Sequence, residues 1–496
     1  MPILRKFYLL STMLLISTVL MACSLAPDYE QPKMNMPEAW LNVKLSETPI
    51  EQDWWNRFND PTLTKLIEEA LANNKELDES LAKIDSAAAK IGQARSALFP
   101  SLSATGGTSR ALSSVMGSSA QKKQYDSGII EHDSVANNNL GLSAAWELDF
   151  WGKYRNSYTG LSDVLLNTKV GYEALRLSIA KQVAQSYFTL LAYDMQLSTA
   201  ERTYKSRKKA LQIYSERYKQ GAVTEFDYLR AATEMELSRA SMLNTIVDRD
   251  TAEASLAVLL GRSPKEILGG KLERSAVLKK LAVPPVLPEG LPSELLLRRP
   301  DIRAAEYMIM AYNANIGVVK ADLFPSISLT GALGTLSFDA ANLFSGPSGT
   351  WSYGVGFAMP LLDFGRRWYA IDDAEALKRQ AIAVYSKTVQ NAFMDLRTAL
   401  TAQRESVGIV QSIQKQVNNM RRAVEIARLQ YDNGYTDYLS VLDSERQLFS
   451  AELQLATAMS ARLFAAVRVC TALGGGWQDT SPLMGTRAEM QKKENK

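Results

Sequence analysis

The chain says the same thing twice, and this repeat limits its architecture more than any other feature. A shift of 225 positions lays Glu69 to Gly106 on Glu294 to Gly331 without a gap. Ile91-Gly92 falls on Ile316-Gly317, and Leu98-Phe99-Pro100-Ser101 on Leu323-Phe324-Pro325-Ser326. Both copies carry an apolar residue at every seventh position: Ala70, Leu77, Ile84, Ile91 and Leu98, then Leu295, Ile302, Ile309, Ile316 and Leu323. A seven-residue spacing keeps one seam against a partner helix only if the helices supercoil, so each copy is expected to open with a coiled-coil-like helix.

Pro100 and Pro325 stop those helices, and the period then changes from seven to two. Ile327, Leu329 and Leu333 alternate with Ser326, Ser328 and Thr330; Trp351, Tyr353, Val355, Phe357 and Met359 alternate with Ser352, Gly354, Gly356 and Ala358. In the first copy Leu140, Leu142, Ala144, Trp146 and Leu148 alternate with small or polar residues, and Ser101 to Arg110 is a weaker strand of the same kind. Four segments of about ten residues, apolar on one side only, match membrane barrel strands, with the small side toward a wet lumen. A soluble sandwich would alternate in the same way. Phe99, Phe150, Trp151, Phe324, Phe364 and Trp368 cluster where strands meet helices, as an interfacial girdle requires. The polar stretches Ser113 to Asn139 and Ser337 to Gly349 read as outer loops. The sole histidine, His132, lies in the first and lacks the companions of a metal ligand.

Each hairpin leads back into helix. Arg155 to Gln220 holds no proline, and about 66 helical residues would span on the order of 100 Å. Trp368 to Asn433 is its counterpart. Matching turns, Tyr218-Lys219-Gln220-Gly221 and Tyr431-Asp432-Asn433-Gly434, break both, and helix resumes to Leu260 and Leu473. Helices this long cannot bury a core alone, and two hairpins cannot close a barrel with a lumen. Both facts require a ring of copies. The expected organisation is a signal peptide (1–22), a leader and belt segment (23–62), repeat 1 (63–262, hairpin 101–150, turn at Gly221), a Pro-rich equatorial link (263–293), repeat 2 (294–473, hairpin 326–364, turn at Gly434) and a tail (474–496). The fold class is α+β, mostly α.

Arg5 and Lys6 followed by the apolar run Phe7 to Met21 form a secretory signal, too short to span comfortably. It ends in Leu20-Met21-Ala22-Cys23, which resembles a bacterial lipoprotein box. That resemblance implies cleavage before Cys23 and its lipidation; the alternative is a thiol that merely lies near a cleavage site. Cys470 is the other cysteine, so a lipidated Cys23 leaves no disulfide within one chain. Loss of Arg5 and Lys6 lowers the formal charge from +3 to +1, which supplies no basic surplus for nucleic acid. No second long apolar run is read as a spanning helix, so a membrane must be crossed by strands.

In this order, Asp53-Trp54-Trp55, Phe58-Asn59-Asp60-Pro61, Leu297-Arg298-Arg299-Pro300-Asp301-Ile302-Arg303, the doubled Leu-Phe-Pro-Ser blocks, Pro360-Leu361-Leu362-Asp363-Phe364-Gly365 and Ala472-Leu473-Gly474-Gly475-Gly476-Trp477 resemble the TolC-like outer-membrane efflux factors. The likeness is to the lipoprotein branch that serves multidrug pumps of the resistance-nodulation-division type, and it covers nearly the whole mature chain. It implies a homotrimeric outer-membrane barrel, four strands per chain, above a periplasmic helical tunnel. It also implies a periplasmic adaptor and an inner-membrane pump as partners, no cofactor, and export of drugs or similar small molecules. The turns at Gly221 and Gly434 would meet the adaptor. By the same resemblance Leu439, Asp443 and Arg446 would form a periplasmic constriction, with a tie from Asp227 to Tyr431. Thr436 stands where some relatives carry Arg, and Ser440 where related ducts carry a second acid. Without the resemblance, Leu439 would be seam packing and Asp443 with Arg446 a surface pair.

An enzyme is disfavoured by inventory: one histidine, no nucleophile elbow of the Gly-x-Ser-x-Gly kind, and no complete phosphate loop around Gly152-Lys153. A coiled-coil structural or adhesive lipoprotein without a pore is the competing reading. A diffusion porin would give most of its length to strands.

Overall fold

The computed structural model describes residues 24–35, 53–112, 114, 123–124, 126–128, 134–269, 272–274, 277–278, 281, 299–475 and 477. The signal, Cys23, His132, residues 282–298 (the end of the link and the start of repeat 2), Gly476 and the tail beyond 477 lie outside them. A single-turn helix, Trp54–Phe58, is followed by α1 (Pro61–Asn73), α2 (Lys75–Ser96), β1 (Ser101–Leu112) and β2 (Ser134–Glu147). Then come α3 (Lys153–Lys219), α4 (Glu225–Leu259), α5 (Pro264–Gly269), α6 (Pro300–Ala321), β3 (Ser326–Ser337), β4 (Gly349–Ala358), α7 (Arg366–Asp432) and α8 (Tyr438–Ala472). The chain divides into two compact units, one of 1–32, 85–166 and 307–382, the other of 33–84, 167–306 and 383–496.

The first unit holds one antiparallel sheet in the order β1-β2-β3-β4. Its register sorts the faces. Ser103, Ser143, Ala332 and Ser352 form one cross-strand row, and Ala104, Leu142, Leu333 and Trp351 form the next on the opposite face. Trp351, Tyr353, Val355 and Phe357 are at least two-thirds exposed, so the apolar face is bare. The strand-to-helix corner is fixed by Trp151, which stacks on Phe324 at 4.6 Å and donates to the Pro325 carbonyl at 2.8 Å. Asp149 accepts from the backbone N–H of Tyr154 and Arg155, satisfying donors at the start of α3. The leader docks here as well: the Asn313 amide donates to the Pro27 carbonyl at 2.6 Å and Lys378 donates to Asn313 at 2.7 Å.

The second unit has the apolar core. Trp54, Phe58, Leu63 and Ile67 pack with Ile179, Val183, Tyr187, Phe188, Leu256, Leu463, Val467 and Cys470. Asp60 explains the Asn-Asp-Pro motif. It caps α1 by accepting from Thr62 N at 2.9 Å, and it also accepts the Tyr187 hydroxyl at 2.8 Å. Burial raises the Cys470 thiol to about 11, so it behaves as a core hydrophobe. The α8 helix is long and apolar enough to pass for a membrane span, a signal the sequence reading did not register; its buried Leu455, Leu463 and Val467 make it a core helix instead.

One expectation needs correction. The first-copy helix does not run unbroken through its heptads, because Asn74 is extended and separates α1 from α2. Its buried side chain donates to the Leu259 carbonyl at 2.8 Å and accepts from Glu76 N at 2.9 Å, so these bonds hold the break open. The seam residues of the second copy, Ile302, Ile309 and Ile316, are buried, whereas Ile84 and Ile91 are only half-covered. Ile309→Asp is therefore expected to cost roughly 3–5 kcal/mol, as an unpaired buried charge does, and Ile84→Asp distinctly less in the dissociated chain. Denaturant unfolding of the two variants checks the order.

Candidate functional site

The site is the end of the two helical hairpins, wholly within the second unit. At the first turn Gly221 has φ 68° and Ala222 N donates to the Arg217 carbonyl at 2.8 Å; at the second Gly434 has φ 76° and Tyr435 N donates to Gln430 at 2.8 Å. These are left-handed C-caps, which a residue with a Cβ adopts at a cost. The next helices start differently. Thr224 and Asp227 form a reciprocal capping box on α4, whereas Asp437 caps α8 by accepting from Ser440 N at 3.0 Å. The hydrogen bonds from Ser440 hold the Asp437 carboxyl below its ordinary range.

Around these caps lies a tyrosine cluster. The hydroxyls of Tyr214 and Tyr431 are 2.5 Å apart, Arg217 donates to Tyr431 at 3.2 Å, and the Tyr438 ring lies 4.4 Å from that of Tyr214. Burial first, then the bond to Tyr431, raises the Tyr214 phenol; burial and the charge of Glu445 raise that of Tyr438. Above the cluster, Glu445 of α8 sits between Arg207 of α3 at 2.6 Å and Arg428 of α7 at 2.5 Å. One heptad further on, Glu452 pairs with Arg421 of α7 at 2.9 Å and with Arg202 of α3. Both carboxylates are at most 15 % exposed, and Arg207 is only 4 % exposed.

The residues expected at the constriction are placed as follows. Leu439 and Asp443 are exposed, and Asp443 accepts from Gln447 at 2.7 Å. Arg446 turns away from Asp443 to Glu234 of α4 at 3.3 Å, so the two do not form the surface pair that was the alternative. Asp227 and Tyr431 are not tied to each other. The Thr224 hydroxyl, 2.7 Å from Asp227, satisfies that carboxylate locally, while Tyr431 faces Tyr214 and Arg217 on α3. The sequence reading missed Tyr214, Arg217, Arg207, Glu445 and Glu452. A signal was present, since Glu445 with Glu452 and Arg421 with Arg428 each repeat at seven residues. Among the described residues no group of three His, Cys, Asp or Glu is arranged to hold a metal ion.

The model of the outer membrane efflux protein family matches residues 66–262 and 291–475. The chain belongs to this family. It is 31 % identical over 469 residues to the cation efflux system protein CusC of Escherichia coli O6:H1, covering 93 % of this chain and 98 % of that one. It is 32 % identical over 486 residues to the antibiotic efflux pump outer membrane protein ArpC of Pseudomonas putida, covering 95 % and 96 %. The Campylobacter jejuni CmeC outer membrane channel superposes with a TM-score of 0.84 at 27 % identity, over 96 % of this chain and 98 % of that one. As a member of this efflux family the chain is an outer-membrane channel component, its sheet in the membrane and its helices in the periplasm.

Two tests follow. Arg207→Ala should destabilise by about 3 kcal/mol because it breaks an ion pair in which both partners are largely buried. Arg428→Ala, half exposed, should cost under about 1 kcal/mol; thermal unfolding separates the two. The raised phenols add a pH dependence. A group whose folded value lies above its unfolded value contributes stability that is complete below about pH 10 and is lost as the pH rises further. Spin labels at Gln220 and Asn433 should keep a fixed separation to about pH 10 and spread above it.

Proposed function

We propose that three copies close their sheets into one barrel through the outer membrane, that their helices form a tunnel below it, and that the hairpin tips gate the tunnel. The observation that carries this reading is the sheet: four strands of bilayer length, a bare apolar face, a small polar face and two open edges. Such edges are excluded from lipid unless another strand covers them. Leu439 and Asp443, exposed near the tip, face the axis in this reading. Three Leu439 side chains dry the constriction, and three Asp443 carboxylates favour cations in it. Arg446, held by Glu234, is an anchor of α8 to α4 and not part of the ring. The turns at Gly221 and Gly434 receive a periplasmic adaptor, which couples the duct to an inner-membrane pump.

The cargo is small molecules, and the chain moves them without transforming them. Names of relatives near 30 % identity span cation and antibiotic efflux, which supports a duct that filters by width and charge and leaves selection to the pump. Cys23 carries lipid that helps to hold the leader at the membrane.

Conductance in planar bilayers tests the gate. Wild type should show a small conductance that rises in the double variant Leu439→Ala/Asp443→Ala. Separately, Tyr431→Phe, which removes the bond to Tyr214, should raise it in single form. Unchanged conductance with intact trimers places the constriction elsewhere. Fatty-acid labelling that persists in Cys23→Ser would refute the lipid site.

A further inference from the structure

The two repeats join their helices end to end in different ways. Asn74 and Arg299 are equivalent by the shift of 225, and each donates to the closing carbonyl of a long helix. Asn74 reaches Leu259 at 2.8 Å, and Arg299 reaches Ala472, the equivalent of Leu259 by 213 positions, at 3.2 Å. The first joint, between α4 and α2, is shut: a Cβ at Gly261 would lie 2.1 Å from the Asn73 carbonyl. At the second, between α8 and α6, a Cβ at the equivalent Gly474 would meet nothing nearer than Arg299, at 3.8 Å, among the described residues. A cleft of about 430 Å³ stays open beside this second joint, between α3 and α7 and wholly within the second unit. That volume lies in the range of small-molecule sites, about 300–1,000 Å³.

The charges of the cleft are as particular to the second joint as its space. Lys181, Arg299 and Arg468 line it, and their repeat equivalents are Met394, Asn74 and Ser255. Arg299 is engaged by the chain itself. It is bidentate on Asp301, at 3.0 and 2.7 Å, lies 3.5 Å from Asp395 and covers the Ala472 carbonyl, the negative end of α8. Lys181, Gln185 and Arg468 are different: among the described residues nothing accepts from their side chains. Lys181 and Gln185 stand one turn apart on α3, so they share a face. The two carboxylates of the cleft, Asp301 and Asp395, both lie against Arg299, which leaves Lys181 and Arg468 uncompensated.

From this arrangement we propose that the cleft binds a small organic anion, a carboxylate or sulfonate carried on an apolar body. Three donor side chains without acceptors, two of them cationic, call for a group with several acceptor oxygens. The planar fork of Arg468 suits such a group better than an ammonium alone would. A bare inorganic anion would leave most of the volume empty, and Leu177 and Pro300 supply a wall for carbon. The inference needs neither the trimer nor the gate. It adds, to a tip whose Asp443 carboxylates favour cations, a site of opposite preference further up the same helices.

Thr398, exposed on α7 at the rim of the cleft, gives a place for a reporter. In the full chain in detergent, methyl methanethiosulfonate modifies the thiol of Thr398→Cys, and peptide mass spectrometry reads its rate beside that of the buried Cys470. Saturating naphthalene-2-sulfonate should slow the modification roughly tenfold, whereas the uncharged 2-naphthamide should leave it unchanged. Lys181→Met/Arg468→Ser, which installs the residues of the other joint, should raise the concentration for half-protection at least roughly tenfold. Neither side chain is buried, so the helices keep their packing. Asp395→Asn, which removes a competing charge while Asp301 still holds Arg299, should lower that concentration. Equal protection by the amide, protection untouched by the double variant, or no protection at all overturns the site. A thiol at 398 as unreactive as Cys470 would show that the chain itself fills the cleft, and would overturn it equally.

Discussion

Everything in this protein follows from the cost of an unpaired backbone group in lipid. A bilayer core offers no water to an exposed N–H or carbonyl, and each orphan costs several kcal/mol. Among the described residues the sheet has four strands and two edges, and β1 and β4 each present a row of such groups. The sheet is therefore incomplete as a single chain, however well its own ladder is formed.

The hairpin tips face the opposite problem, because they must hold together and also part. The pairs formed by Glu445 and Glu452 are divided with respect to that motion. Arg428 and Arg421 lie on α7, in the same hairpin as α8, and travel with it. Arg207 and Arg202 lie on α3, in the other hairpin, and so does the tie from Tyr431 to Tyr214 and Arg217. Separation of the hairpins would break only the second set, leaving each carboxylate one arginine. Arg207 and Glu445 are the most buried of the pairs that cross between the hairpins, so this pair contributes most of the resistance.

The fold was legible because its signals are periodic or local. Heptads, alternation and paired prolines do not depend on distant partners, and they marked helices, strands and corners at Pro100 and Pro325. Asn74 was not legible: its helix break is made by a carbonyl 185 residues away. The site was less legible for the same reason. Asp443 and Arg446 lie one turn apart on α8, but Glu234, on another helix, decides where the arginine goes. Asp227 was assigned a distant partner although Thr224, three residues earlier, forms a capping box with it, a pattern visible in the sequence. The motif around Trp54 and Asp60 was visible as a motif only; its meaning, a cap that also accepts the Tyr187 hydroxyl, needed the packed core.

The two repeats share a backbone but not their charges, and this difference gives the hairpins separate roles. Glu445 and Glu452 of α8 correspond, 213 positions earlier, to Ala232 and Arg239 of α4. Their α7 partners Arg428 and Arg421 correspond to Ser215 and Lys208 of α3. The first hairpin thus lacks the carboxylates that would clamp α4 in the same way, and it supplies arginines that clamp α8. An assembly of identical repeats would hold all its tips with equal strength, and any signal that freed one would free every one. Arg207 and Arg202 of the first repeat hold Glu445 and Glu452 of the second, and Arg446 of the second holds Glu234 of the first, so the contacts that must break lie at the boundary between the hairpins. A contact at either turn can then act on that boundary while the ladder that seals the barrel stays whole.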